Sequence, residues 1–396
     1  MNGVRQEHGF TQSTASLGEL CRVFLKLGTM AFGGPAAHIA MMEDEVVRRR
    51  QWLTREQFLD YLGATNLIPG PNSTELAIHI GHRRGGWTGL VVAGASFILP
   101  ATLIVTVIAW AYSRYGNLPT TVGLLYGVKP VVMAIVVQAL WRLGRTSIKS
   151  PSLAVTALAA TVAAALGVHE LLILAAGGIV MAIAQLSRVK RGRATTLALV
   201  LALGGAFASR VAAQAQAQTA AAAAPFALRE LFLVFAKAGS ILFGSGYVLL
   251  AYLRNDLVTR LHWLTEPQLL DAIAVGQVTP GPVFTTATFI GYVLGGPTGA
   301  AVATLGIFLP AFVFVAVSGP LVPRLRASPV AGAALDGVIA VSLALMAVVS
   351  WELARAAIVD GLSLSIALAS LVVLVRWQPN SAWLIGAGGV LGLIAR

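Results

Sequence analysis

Charge is scarce in this chain. Only 11% of its 396 residues are Asp, Glu, Lys or Arg, against roughly 25% in a soluble domain. Hydrophobic residues make up 57%, and mean hydropathy is +0.79. These figures exclude a soluble globule and read as an all-α, multi-spanning membrane protein. The one cysteine, Cys21, excludes an internal disulfide and is expected to pack as a small apolar residue in a helix. There is no P-loop, so the chain does not hydrolyse ATP. There is no Cys/His metal spacing and no redox-cofactor motif, so neither an enzyme, a cofactor nor a metal site is expected. Met1–Ser16 is polar and lacks the basic start and apolar run of a cleaved signal peptide. Acidic residues are the scarcer sign, 16 against 28 basic, for a net charge of +12. In a membrane protein such an excess marks cytoplasmic loops rather than a nucleic-acid partner.

What is present is a duplication. Phe32-Gly33-Gly34-Pro35 has a counterpart, Phe243-Gly244-Ser245-Gly246, 211 residues later. Lys26 and Lys237, Gly28 and Gly239, Asp60 and Asp271, and Asn66 and Gln277 share that offset. So do Trp52-Leu53-Thr54 and Trp263-Leu264-Thr265, and Pro69-Gly70-Pro71 and Pro280-Gly281-Pro282. After a one-residue slip, Gly85-Gly86 matches Gly295-Gly296, Leu99-Pro100 matches Leu309-Pro310, and Trp141 matches Trp351. Both copies set Gly and Pro inside apolar sequence, where membrane helices break and ions bind.

The expected organisation is a polar tail (1–16), a first repeat (17–149), connecting membrane segments with an Ala/Gln-rich linker (150–227), a second repeat (228–355) and closing membrane segments (356–396). Leu17–Gly34 should break at Gly33-Gly34-Pro35, and Pro35 can lead a second helix over Ala36–Val47. Thr54, three residues before Gln57, predicts a capping box on a short amphipathic helix. Pro69-Gly70-Pro71 should split Gly63–Gly81 into half-helices or a re-entrant hairpin, tolerable in a membrane only when buried in protein or facing water. Apolar runs of about 20 residues suffice to cross a bilayer. On that measure we expect about 10–13 membrane segments, with Thr88–Tyr112 and Thr120–Trp141 among the spans.

Basic residues test how the repeats face. Arg48, Arg49, Arg50 and Arg55 in the first copy oppose Arg254 and Arg260 in the second. Arg83 and Arg84 oppose none, and Arg142, Arg145 and Lys149 oppose Arg355. On the other membrane face the bias reverses, Arg114 against Arg324 and Arg326. Positive residues stay in the cytoplasm. The pattern therefore predicts two inverted repeats, with the 188–193 loop inside and the Gln214–Ala224 linker outside.

These residues resemble the chromate ion transporter family in its long, two-repeat form. The resemblance is carried by Phe32-Gly-Gly-Pro-Ala-Ala-His-Ile-Ala40, Gly70-Pro71, Gly81 with Gly85-Gly86, Phe97-Ile-Leu-Pro100 and their second-half counterparts. It implies a plasma-membrane transporter, in bacteria of the inner membrane, that exports chromate driven by an ion gradient and confers chromate resistance. A sulfate or other oxyanion transporter and an anion channel remain alternative readings; a chromate reductase is a weak one. Partners are the oxyanion, an unknown coupling ion and membrane lipids; a homodimer is left open.

A tetrahedral dianion needs donors around it and partial positive charge, which helix starts at breaks supply. The candidates are the backbone at Gly33, Gly34, Gly70, Gly244, Ser245 and Gly281. The alternative for these glycines is tight helix packing. Lys26 and Lys237 are intramembrane cations, functional by default unless they snorkel to the interface. Arg22, one turn before Lys26, is an assistant or an interface anchor. His38 either donates to the anion or is hydrogen-bonded in the packing. Asn72, Ser73 and Thr74 are neutral donors and Glu75 a coupling candidate, unless they merely cap the helix. Asn66 and Gln277 could line one cavity, and Thr279, Thr285 and Thr286 are the second half's hydroxyls. Glu43, Asp44 and Glu45 read as a solvated loop.

Overall fold

The structure is a computed structural model that describes residues 16–31, 34–116, 118–189, 226–242 and 249–395. The expected linker Gln214–Ala224, the apolar run Thr195–Ala213, and residues 190–193 of the basic loop lie outside the described residues. Every regular element described is helical. The first half runs α1 (Leu17–Met30), α2 (Gly34–Glu43), a π-helical turn (Asp44–Arg49), α3 (Arg55–Thr65), α4 (Asn72–Tyr115), α5 (Pro119–Ser147), α6 (Pro151–Ala165) and α7 (Glu170–Val189). The second half repeats this order: α8 (Leu228–Ile241), α9 (Leu249–Leu253), a π-helical turn (Arg254–Arg260), α10 (Glu266–Val278), a 3-10 turn (Val283–Thr285), α11 (Thr286–Ala327), α12 (Pro329–Ala357), α13 (Gly361–Trp377) and α14 (Ser381–Ala395).

Local chemistry explains the correspondence. Thr54 and Thr265 each accept from the backbone three residues on, while Gln57 and Gln268 reach back, so both short helices open with a capping box. Gln51 and His262 take matching left-handed conformations, φ 52° and 53°. Gly85-Gly86 and Gly295-Gly296 kink α4 and α11 alike. Gly86 and Gly296 stand at φ 59° and 61° with extended ψ, a region open essentially to glycine.

The kink divides α4 into a short arm from Asn72 to Arg84 and a long arm that crosses. Together with α3, the short arm forms the broken pair predicted around Pro69-Gly70-Pro71. Among the described residues five helices are long and apolar enough to span: α4, α5, α7, α11 and α12; α6, α13 and α14 are shorter apolar helices. Large apolar side chains stand outward in matching stripes. Leu99, Leu103 and Val107 on α4 answer Leu309, Val313 and Val317 on α11, and Trp141 answers Trp351. Such faces suit lipid.

The packing is exchanged between halves. Within each half the first helix lies on its kinked helix, α1 on α4 and α8 on α11, and α4 meets α11 at the centre. Beyond that the partners cross over. α5 packs against α13 and α14 of the second half, while α12 packs against α6 and α7 of the first. Glycines allow backbone-close approach at these crossings. A Cβ on Gly127 would stand 1.9 Å from the Gly388 carbonyl oxygen, and one on Gly337 would stand 2.4 Å from that of Gly177. Small residues at helix crossings are how bilayer helices gain contact when lipid removes the hydrophobic drive.

Candidate functional site

The two Pro-Gly-Pro loops are each lodged in the other repeat. The Gly70 N–H donates to the Leu242 carbonyl at 2.7 Å, and the Gly281 N–H donates to the Ala31 carbonyl at 3.0 Å. Leu242 and Ala31 are the C-caps of α8 and α1. Each proline-bracketed loop therefore closes the end of the opposite first helix, beside the break that follows it. Both glycines have positive φ, 142° and 86°. A Cβ on Gly70 would strike the Glu75 carboxylate, and one on Gly281 would press on Ala101 of α4. Only glycine fits either place.

In the first repeat this brings several expected residues together. The His38 Nε2 lies 3.0 Å from the Ala31 carbonyl and its Nδ1 lies 3.2 Å from Ser73 Oγ. A carbonyl only accepts, so the proton sits on Nε2 and the neutral ring's Nδ1 takes the Ser73 hydroxyl. His38 is thus tied into the packing, between the α1 terminus and the start of α4. Asn72 Nδ2 donates to Asn66 Oδ1 at 2.8 Å across the Pro-Gly-Pro loop. Glu75, in the first turn of α4, is fully buried, and neither carboxylate oxygen has a hydrogen-bond partner. The same holds for Thr74 Oγ1 and Asn72 Oδ1.

The second repeat is quieter. Thr279, Thr285 and Thr286 are buried and their hydroxyls return to nearby backbone carbonyls, those of Val275, Pro282 and Val283. Gln277 is buried, whereas its sequence counterpart Asn66 is exposed. Gly33, Gly244 and Ser245 lie outside the described residues; Gly34 opens α2.

The two lysines are paired with carboxylates. Lys26 Nζ lies 3.2 Å from Glu45 Oε2, and Arg50 Nε lies 2.8 Å from the other oxygen of that carboxylate. Lys237 Nζ lies 2.8 Å from Asp256 and 3.0 Å from Glu170, which also receives Asn255 Nδ2 at 2.6 Å. Glu45, expected in a solvated loop, is instead buried. The π-helical turn rotates it inward beneath Lys26, and only Asp44 and Glu43 stay toward the surface. Glu45 and Asp256 share the 211-residue offset of the lysines, a signal that sequence reading could have used. Arg22 is exposed.

One centre was only half visible in the motifs, through the Asp60–Asp271 match. Lys129 of α5 lies 3.0 Å from Asp271 of α10, and the Tyr112 hydroxyl of α4 donates to that carboxylate at 2.8 Å. Asp271 is buried while its partner by offset, Asp60, is exposed. Lys129 has no counterpart in the second repeat, where Ile339 stands, so no repeat pairing pointed to it.

Comparison with known proteins follows the same division. The chromate transporter family model matches residues 18–182 and 229–393, so each match runs from the first helix of a repeat through its last two apolar helices. A "Chromate transport protein" of Cupriavidus metallidurans is 33% identical over 390 residues, covering 97% of this chain and 94% of that protein. A "Chromate transport protein" of Pseudomonas aeruginosa is 35% identical over 376 residues, covering 93% and 90%. A "Probable chromate transport protein" of Synechococcus elongatus is 31% identical over 328 residues, covering 82% and 81%. No solved structure matches the chain. With both repeats matched and relatives aligned almost end to end, this multi-pass membrane protein belongs to the chromate transporter family.

Proposed function

We propose that this protein is a secondary transporter that carries chromate, or a tetrahedral dianion of the same shape, outward by alternating access. The observation that carries this reading is the reciprocal docking of the two Pro-Gly-Pro loops. Reciprocal contacts imply a two-fold relation between the repeats. The basic-residue bias sets that axis in the membrane plane, making the repeats inverted. In that arrangement interrupted helices meet near the midplane, where their N-termini favour an anion.

The seat lies between the breaks. Gly70 and Gly281 bring the backbone close there, their own N–H groups being taken by the Leu242 and Ala31 carbonyls, and the helix start at Gly34 adds the positive end of α2. Thr74 brings a hydroxyl with no partner among the described residues and Gln277 an amide from the other repeat, whereas His38, Ser73, Asn72, Thr279 and Thr285 reach the anion only by exchanging the hydrogen bonds they make to neighbouring groups. Lys26 and Lys237 enter as cations for which an incoming dianion competes with their carboxylates. Relatives named for chromate transport support the substrate.

The test is flux in proteoliposomes of the purified protein under an imposed proton gradient, with sulfate as competitor. Saturable chromate movement that follows the gradient is expected. Current without coupling would make the protein a channel, and sulfate preferred over chromate, moving inward, would replace both substrate and direction.

A further inference from the structure

Glu75 does not stand alone on its helix. His79 follows at i+4 and His82 at i+7, so the three share one face of the short arm of α4. They grade from inside to outside: Glu75 is fully buried, His79 is 8% exposed and His82 lies at the surface beside Arg83 and Arg84. The inner two hold atoms with nothing to bind, both Glu75 oxygens and the His79 Nε2. His82 lies within electrostatic reach of His79. A buried carboxylate without donors or a counter-charge is costly as an anion, and ionisable groups inside a membrane protein mark ion pathways. The second repeat has no such row. At either offset the corresponding places hold Thr285 or Thr286, Phe289 or Ile290, and Tyr292 or Val293, none of them a carboxyl or an imidazole.

We propose that His82, His79 and Glu75 form a proton path from the Arg83–Arg84 surface to the oxyanion seat, present in the first repeat only, with Glu75 as the group that carries the proton. This rests on the transport reading and adds the coupling ion to it. A proton from bulk water adds to the His82 imidazole, passes to Nε2 of His79, and ends on a Glu75 oxygen, which becomes the neutral acid. It leaves to water when the seat opens to the other side. Only N–H and O–H bonds form and break, and no electrons move.

The coupling follows from charge. Glu75 sits in the first turn of the helix whose N-terminus faces the seat, so an ionised Glu75 and a dianion oppose each other there. The proton removes that opposition, and the two travel together. One proton with one dianion moves a single negative charge, which an inside-negative potential drives outward.

The surroundings hold little that competes. α3 contributes Tyr61, stacked on His79 with ring centroids 5.6 Å apart, and Tyr61 feels Asp60 and Arg83. α2 contributes His38, held by Ser73 and Ala31. On α1, Lys26 is engaged by Glu45 and Glu19 by Arg50. α11 presents Ala311, Phe312 and Val315 to this arm.

Two measurements on the full-length protein decide it. In proteoliposomes with an internal pH dye, chromate movement by the wild type should carry protons. Glu75→Gln should lower the proton signal per chromate at least tenfold, and His79→Gln should slow proton-coupled flux about tenfold. Proton movement per chromate unchanged in Glu75→Gln overturns the proposal. In detergent, difference infrared spectroscopy over a pH titration should show a carboxyl C=O band that Glu75→Asp keeps and Glu75→Gln loses. A band unaltered by Glu75→Gln overturns it as well, and this arm needs no transport. If the wild type moves no oxyanion while the band behaves as expected, the transport reading fails and the proton site stands.

Discussion

Lys26 and Lys237 occupy matching positions with unequal surroundings. The Lys26 side chain is 46% exposed, and Glu45 keeps Arg50 as a second partner. Lys26→Ala should therefore lower stability by no more than about 1 kcal/mol, so its flux can be read cleanly. The transport proposal expects chromate flux to vanish while membrane insertion stays normal, and full flux would remove Lys26 from the seat. Lys237 serves two carboxylates that are 7% and 2% exposed. Lys237→Ala leaves Glu170 with Asn255 as its donor and should cost about 2–3 kcal/mol, less than a fully buried pair because Lys237 is partly solvated. A thermal melt in detergent should rank the two variants in that order. The same contrast shows what was legible here. The lysines stood out as charges in apolar sequence, but their carboxylates lie 19 residues on for Glu45 and Asp256 and 67 residues back for Glu170, distances that only folding closes.

At the scale of elements, glycine separates two kinds of helix. Gly127 of α5 faces the backbone of α14, where a Cβ would stand 1.9 Å from an oxygen. Gly144, near the C-terminus of the same helix, would meet nothing within 4 Å. Gly127→Ala should destabilise by roughly 1–3 kcal/mol through overpacking. Gly144→Ala should be neutral or slightly stabilising, because alanine holds helix better than glycine. Paired melting curves check both. Element boundaries were largely legible, since caps and breaks are local: the Thr54 box, the stop before Gly34 and the Pro-Gly-Pro interruption are all set by residues within a few positions of one another. The π-helical turns at Asp44–Arg49 and Arg254–Arg260 were not. No local propensity demands them; they turn Glu45 and Asp256 inward to the lysines.

For the whole molecule, the exchanged packing of α6 and α7 on α12, and of α13 and α14 on α5, makes each half incomplete. A fragment holding only the first half, α1 to α7, leaves α6 and α7 without α12, and small-residue faces without their partner. Expressed alone, either half should fail to give a monodisperse peak by size-exclusion chromatography. Co-expressed halves divided between residues 190 and 225 should recover it. A stable, monodisperse single half would refute the interdependence. Opposed mounting of the repeats is a separate prediction. Single cysteines placed at Arg83 and Tyr292, in a chain whose Cys21 is replaced, should react with an impermeant reagent from opposite sides of the membrane. Reaction from one side would leave the two-fold relation but turn its axis along the membrane normal.

Sequence alone determined the membrane class, the duplication, the breaks and the family resemblance, because composition, repeated offsets and Gly/Pro chemistry act locally and need no fold to be read. Tertiary structure decided which break meets which. Nothing in the order of residues says that Gly70 closes α8 rather than α1, or that Asp271 meets Lys129 while Asp60 stays at the surface. Those pairings depend on close approach between helices distant in the chain. In a bilayer such approach is won by backbone fit and by satisfying buried polar groups, neither of which leaves a periodic trace in the sequence.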